Sequence, residues 1–202
     1  MDRATESGKK KEAILDAAAQ VFEHYGYRKT SMEDISAALG ISRASLYSYF
    51  ENKAAVFRQV SMALHERALE QAEAWLRQDT IRLRQRITEA LLTRHQPFPA
   101  RSTRSDQGNE LQDEYSHRCG DIVAASNTRF EHLLATALQS ADDAGTLDLQ
   151  TVSLSSRSAA EMLSLCVAGL KGRSGTPELF EAQVRPFVGI FLAGLERRRK
   201  VP

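Results

Sequence analysis

Cysteine is scarce in this chain, and long apolar runs are absent. Cys119 and Cys166 are the only two cysteines among 202 residues, which is too few for a disulfide scaffold. The N-terminal residues lack the apolar core of a secretory signal, and no apolar run approaches the length needed to cross a bilayer. The sequence therefore predicts a soluble cytoplasmic protein with no membrane partner.

Neither sign of charge dominates. The chain has 27 Lys and Arg residues against 26 Asp and Glu residues. A large positive excess would have favoured nucleic acid as a partner, but a balanced total does not exclude it, because a local patch is sufficient. Residues 1–60 are also balanced, with nine basic and eight acidic residues. Any nucleic-acid surface must therefore be argued from the placement of particular side chains.

Glycine and proline are sparse. No glycine lies between Ile41 and Gln107, and the only prolines there are Pro97 and Pro99. Apolar residues recur every three or four positions, and strand-like alternation is not sustained, so we predict an all-α fold. We expect a loop over residues 96–108. Beyond residue 52 we expect helices at about 53–75, 80–95, 110–117, 121–142, 151–170 and 177–198.

Helix-capping residues divide the first fifty residues into three short segments. We expect Gly26 to end a first helix whose apolar face includes Phe22 and Tyr25. A capping box of Thr30 and Glu33 would open the second helix. Gly40 would close the second helix, and Ser42 would cap the third.

The segment ISRASLYSYFENK, which starts at Ile41, has two different faces on a helical wheel. Leu46 and Phe50 fall on one side and are expected to pack inward. The opposite side carries the small residues Ala44, Ser45 and Ser48. Small side chains allow a helix to lie close to base edges in the major groove of DNA. Together with the preceding helix and its glycine turn, this segment fits a helix-turn-helix.

Longer polar side chains flank that small face. Arg43, in the first turn, is the candidate for guanine O6 and N7. Ser42, Tyr47, Tyr49 and Lys53 could reach phosphates on either side. The wheel alone leaves an alternative open, in which two core helices are joined by a tight turn and the tyrosines serve packing.

The order of these parts resembles the TetR family of bacterial transcriptional regulators. The matching stretch is ILDAAAQVFEHYGYRKTSMEDISAALGISRASLYSYFENKAAVF, from Ile14 to Phe57. Ala44 replaces a glycine that is frequent in the family, and Ser36 replaces the commoner alanine. The resemblance implies a DNA-contacting set consisting of Thr30, Ser31, Ser42, Arg43, Ala44, Ser45, Tyr47, Tyr49 and Lys53.

The resemblance also implies an architecture and a function. We expect a three-helix DNA-binding head in residues 1–52 and a larger helical ligand-binding and dimerisation body in residues 53–202. The implied function is that of a ligand-responsive regulator, a homodimeric repressor released from double-stranded palindromic operator DNA when a small-molecule effector binds the body.

The last two predicted helices are apolar around much of their circumference, which indicates burial on several sides. We assign them to a homodimer interface that includes Met162, Cys166, Leu170, Val184, Phe187, Phe191 and Leu195. A central hairpin of a monomer is the alternative. Candidate residues lining an effector pocket are Trp75, His95, Tyr115, Phe130 and Met162, each of which could instead serve core packing.

No catalytic constellation is apparent, so we expect no enzyme activity, no cofactor and no metal. His117 and Cys119 with Asp121 nearby do not complete a tetrahedral metal site. Residues 172–176, GRSGT, lack the lysine of a phosphate loop. An enzyme acting on a small apolar molecule and a protein–protein adaptor without DNA binding remain as alternative functions.

Overall fold

The computed structural model describes residues 3–95 and 106–197, and within these ranges the chain is all-α, as predicted. The elements are α1 (Arg3–Lys29), α2 (Met32–Leu39), α3 (Arg43–Tyr47), α4 (Lys53–Leu76), α5 (Leu83–Arg94), α6 (Asp106–Asp143), a 3₁₀ turn (Gln150–Val152), α7 (Ser156–Ser174) and α8 (Pro177–Leu195). The described ranges contain no strand, only an isolated bridge between Leu147 and Glu196. None of their helices combines the length and hydropathy needed to cross a bilayer.

The described chain forms two compact units. The head unit consists of residues 3–65 and 106–123, and the body unit consists of residues 66–95 and 124–197. The division between the units therefore falls inside α4 and inside α6. The domain limit expected after residue 52 stays a prediction.

The head unit is built around a buried aromatic cluster. The rings of Phe22 and Phe57 meet edge to face with centroids 5.1 Å apart, and Tyr27 packs on Phe57 at 4.9 Å. Ile35 of α2 and Leu46 of α3 are fully buried in the same cluster. Burying side chains of this size stabilises the unit by about 1.5–3 kcal/mol each. This core fixes α2 and α3 on α1 and on the first turns of α4.

The end of α1 differs from the prediction. Gly26 adopts a positive φ of 79° with ψ of 168°, so it kinks α1 rather than ending it, and helix resumes as far as Lys29. Because of this kink Tyr27 occupies the core, whereas Tyr25, expected on the inner face, is 51% exposed. Glycine is the residue that adopts such a backbone conformation at low cost.

The capping box of α2 lies one residue later than predicted. Ser31 is the N-cap, its hydroxyl accepts a hydrogen bond from the Asp34 backbone, and the Asp34 carboxylate accepts one from the Ser31 backbone. Thr30 instead donates its hydroxyl to the Gly26 carbonyl at 2.7 Å. The predicted end of α2 is confirmed, since Gly40 is a left-handed C-cap with φ 66°.

The structure has a single long helix, α6, where a short helix at 110–117, a longer helix at 121–142 and the end of the loop were expected. Residues 106–108, expected in the loop, lie in the first turn of α6, and residues 96–105 fall outside the described ranges. Helix α6 continues through Gly120 because Tyr115, Cys119, Ile122 and Val123, spaced as on one helical face, pack on the head cluster. The body core is built from α5, α7, α8 and the remaining parts of α4 and α6.

Candidate nucleic-acid interface

Helices α2 and α3 form a helix-turn-helix held by its own backbone. The Gly40 amide donates to the Ala37 carbonyl and the Ile41 amide to the Ser36 carbonyl, both at 3.0 Å. The Ser42 hydroxyl then accepts the Ser45 amide at 3.1 Å and opens α3. These bonds satisfy backbone groups at both helix ends, which gives α3 a defined direction.

Helix α3 has the two faces expected from the wheel. Leu46 is fully buried and Phe50 nearly so, which anchors α3 to the head core. Ser42, Arg43, Ala44 and Ser48 are exposed, and Ser45 is half-buried. The ring of Tyr47, which is 45% exposed, borders this small-residue face. The exposed face is thus narrow enough for close approach to base edges in a major groove.

Arg43 is held loosely. One of its Nη atoms lies 3.3 Å from a carboxylate oxygen of Glu33, and both side chains are mostly exposed. Exposed ion pairs of this kind contribute little to stability. The guanidinium can therefore exchange this partner for another acceptor at small cost.

Two members of the expected contact set, Thr30 and Lys53, make contacts inside the head unit. Thr30 is only 2% exposed and its hydroxyl is already bonded to Gly26, so its side chain cannot reach a ligand. The Lys53 ammonium donates to the carbonyls of Tyr27 at 2.8 Å and Thr30 at 2.7 Å, and it lies 4.4 Å from the centroid of the Tyr27 ring. This lysine therefore stabilises the end of α1, where carbonyls lack helical partners.

Ser31 and Tyr49, two further members of the expected contact set, keep some accessible surface. Ser31 is exposed, but its hydroxyl donates to Asp34 at 2.7 Å. The hydrogen bonds from the Ser31 side chain and backbone hold the pKa of Asp34 below its usual value. Tyr49 is half-buried and packs against the edge of the head cluster.

Two lysines near the start of α1 lie beside the aromatic residues that follow α3. The Lys10 ammonium is 5.9 Å from the centroid of the Tyr49 ring, and the Lys11 ammonium is 6.0 Å from that of Phe50. The expected contact set does not include them, because the run of three lysines at 9–11 left two interpretations open, a contact with the phosphate backbone or minor groove and a mobile tail.

The five residues expected to line an effector pocket are divided between the two units. Tyr115 belongs to the head unit, where its hydroxyl hydrogen-bonds to the buried His65 ring. In the body unit, Phe130 is buried in the core, Trp75 packs against that core, and Met162 is 44% exposed. His95 meets the Phe180 ring edge to face at 6.0 Å.

A groove of the body unit lies elsewhere. It has a volume of about 380 Å³ and is lined by Glu66, Leu69, Glu70, Glu73, Thr128, Arg129, His132 and Leu133. None of the five expected pocket residues belongs to this lining. Its walls carry charged side chains, including the ion pair of Arg129 and Glu66 at 2.6 Å.

The expected dimer residues divide into two groups. Val184 and Leu195 are buried in the core of the body unit, so their side chains offer no surface to a partner. The others retain exposed surface: Met162 and Cys166 are exposed, while Leu170, Phe187 and Phe191 are half-buried. Three exposed apolar residues were not among those expected at the interface: Ile190 of α8, which is 75% exposed, Leu165 and Leu179.

The described residues hold no group of three or more His, Cys, Asp or Glu side chains arranged for a metal ion. In the segment 117–121, Cys119 is buried, and burial raises its pKa above the usual value. Asp121 is instead paired with Arg58.

The fold and this surface define a class: an all-helical protein whose N-terminal unit presents an exposed helix-turn-helix. Residues 14–60 match the family model described as bacterial regulatory proteins, tetR family. These residues are similar to the N-terminal domain of that family, and the predicted resemblance is confirmed.

A curated relative resembles the same region. The negative transcriptional regulator IcaR of the icaADBC biofilm operon in Staphylococcus epidermidis is 39% identical over 49 residues, which are 24% of this chain and 26% of that protein. The chain matches 26% to 36% of the length of the first curated relatives.

Solved structures resemble nearly the whole chain. A transcriptional regulator from Cytophaga hutchinsonii superposes with a TM-score of 0.76 at 20% identity, covering 93% of this chain and 99% of that one. SmeT, the repressor of the multidrug efflux pump SmeDEF of Stenotrophomonas maltophilia, gives a TM-score of 0.67 at 20% identity, covering 95% and 97%. At these identities the likeness shows a shared fold.

Proposed function

We propose that the protein is a transcriptional regulator that binds double-stranded operator DNA through α3. The observation that carries this proposal is the exposed small-residue face of α3, with Leu46 buried on the opposite side. Six residues of the expected set form the proposed contact surface: Ser42, Arg43, Ala44, Ser45, Tyr47 and Tyr49. Arg43 would read a guanine, and the hydroxyl groups would fix the register on phosphates. Ser31 lies beside this surface as a further phosphate contact.

We further propose that the protein acts as a homodimer on a palindromic operator. Helices α7 and α8 pack on each other, and each exposes a large apolar side chain, Leu165 and Ile190, which favours this assembly. The proposed interface combines them with Met162, Cys166, Leu170, Phe187 and Phe191. Two copies of α3 would then enter successive major grooves about 34–36 Å apart.

Release by a small-molecule effector is the last part of the proposal. Helices α4 and α6 each contain residues of both units, so a ligand that shifts either helix in the body could alter the spacing of the two α3 helices. A hundredfold loss of operator affinity requires the effector to favour the released state by about 2.7 kcal/mol. The outcome expected for such an effector is relief of repression.

The test is selection of bound fragments from a random DNA pool with the purified full-length chain. A palindromic consensus with half-sites one helical turn apart is expected, and failure to enrich any sequence would contradict the proposal. The variant Arg43→Ala with Tyr47→Ala should lose the selected site while keeping its oligomeric state and its melting temperature. The matched control is Arg157→Ala, at an exposed position of α7, which should bind the site like the wild type.

A further inference from the structure

Residues 6–13 of α1 do not contribute to the core. Every residue from Glu6 to Ala13 is exposed, and Ile14 is the first buried residue in the part of α1 whose side chains the structure describes. Gly8 lies inside this stretch, where glycine weakens a helix. Core packing therefore does not account for the two helical turns before Ile14.

These turns of α1 lie beside the residues that follow α3. Lys10 approaches the face of Tyr49 at 5.9 Å, and Lys11 approaches Phe50 at 6.0 Å. Tyr49 and Phe50 follow the C-cap residue of α3, Ser48, after the helix ends at Tyr47. The lysine run is thus placed at the end of α3 that carries the tyrosines of the proposed contact surface.

The charge of the stretch suits a polyanion. Residues 8–13 contain three lysines and one glutamate, in a chain whose total charge is nearly balanced. All three lysines are exposed, so their ammonium groups are accessible to water and to phosphate. Lysine acts towards phosphate as a point charge that needs no fixed geometry.

We propose that the first turns of α1 form a second DNA-binding element, in which Lys10 and its neighbours Lys9 and Lys11 bind backbone phosphates flanking the groove entered by α3. This inference rests on the proposed DNA-binding function. In this role the three lysines raise the affinity for DNA without recognising bases, because phosphate contacts carry no direct sequence information. The competing explanation is that the lysine stems only cover the rings of Tyr49 and Phe50.

The salt dependence of DNA binding separates the two explanations. Each phosphate neutralised on B-DNA contributes about 0.9 to the slope of log K against log salt concentration. The variant Lys9→Gln, Lys10→Gln, Lys11→Gln should reduce the magnitude of that slope by about 1 to 3 and weaken binding at least about tenfold at low salt. The selected consensus should stay the same, because phosphate contacts carry no direct sequence information.

Two controls complete the experiment, which uses the full-length chain and its selected site. Arg157→Gln with Arg173→Gln removes two exposed charges from α7 of the body unit and should leave the slope unchanged. Lys10→Met keeps an apolar stem over Tyr49 and removes the charge, so it should lower the slope by about 1 without changing the melting temperature.

The outcomes are distinct. A triple variant with the wild-type slope, or one that loses affinity only in proportion to a loss of thermal stability, overturns the inference. A wild-type chain that enriches no DNA sequence overturns the proposed function and this inference together. Wild-type binding with an unchanged slope in the triple variant overturns the inference alone.

Discussion

Arg58 and Asp121, which are 63 positions apart in the sequence, form a bidentate ion pair. The two Nη atoms lie 2.9 and 2.6 Å from the two carboxylate oxygens, and Arg58 also donates to the Arg118 carbonyl. Arg118 in turn lies over the Tyr27 ring at 4.7 Å and pairs with Glu114 at 2.7 Å. These contacts attach the first half of α6 to the helices that carry α3.

Replacing Asp121 by Asn should lower the melting temperature at neutral pH, by no more than about 2–4 °C because the pair is exposed. The hydrogen bond and charge of Arg58 lower the pKa of Asp121 to about 2. A depressed folded-state pKa means that the contribution is complete above the unfolded pKa of about 4 and is lost as the pH falls towards 2.

Melting curves of both proteins between pH 7 and pH 2.5 provide the measurement. The difference between wild type and variant should shrink below about pH 4. A difference that stays constant down to pH 2.5 would show that Asp121 acts by packing and not by its charge.

Lys53→Met should destabilise the head unit by about 1–3 kcal/mol, because it removes hydrogen bonds from a charged donor to the carbonyls of Tyr27 and Thr30. Urea denaturation measures this loss. Since the ammonium is engaged inside the head unit, the slope of log K for DNA against log salt should match that of the wild type. A slope reduced by about 0.9 would instead identify Lys53 as a phosphate contact.

The contrast between Lys53 and Ser42 shows which parts of the interface could be predicted from sequence. Ser42, Gly40 and Leu46 were placed correctly because helix capping and helical periodicity depend on residues within a few positions. The role of Lys53 depends on carbonyls 23 to 26 positions earlier in the chain. No local pattern indicates such a contact.

The body unit shows the same limit. Val184 and Leu195 were expected at a partner surface, yet both are buried within the unit. A helix that is apolar on most sides leaves open which side faces the core and which faces a partner. The effector candidates stay a prediction for a related reason, because aromatic residues far apart in sequence meet only when the complete fold brings them together.

His95→Gln should change how stability depends on pH. Burial, followed by the charges of Lys171 and Arg94, lowers the pKa of His95 to about 3. The unfolded chain protonates this ring near pH 6.5, so the wild type should lose stability as the pH falls from about 6.5 towards 3. One histidine can change the free energy of unfolding by at most about 1.4 kcal/mol per pH unit.

Urea denaturation of both proteins at pH 7.5, 6.5, 5.5 and 5 tests this prediction. The glutamine variant should be less stable at pH 7.5, because it loses the ring contact with Phe180, but its stability should fall less steeply with pH. The carboxylates titrate equally in both proteins, so the comparison isolates the histidine. If the free energy of unfolding of the two proteins changed in parallel with pH, His95 would not have a lowered pKa in the folded state.

Ile190→Glu should disrupt the proposed dimer without unfolding the monomer. Ile190 is 75% exposed on α8, whereas its neighbours Val188 and Leu192 are buried in the body core, so a carboxylate at position 190 meets water in the monomer and an apolar surface in the dimer. A central interface residue contributes at least about 2 kcal/mol, which corresponds to a dimer dissociation constant raised by at least about 30-fold.

Sedimentation velocity over a range of concentrations measures the dissociation constant, and circular dichroism checks that the helices persist. Val152→Glu is the matched control, since Val152 is also an exposed apolar residue but lies on the 3₁₀ turn between α6 and α7. It should leave the dimer unchanged. Because a palindromic site needs two α3 helices held together, operator affinity should fall with dimerisation in Ile190→Glu alone. An Ile190→Glu protein that dimerises like the wild type would place the interface on another face of the body unit.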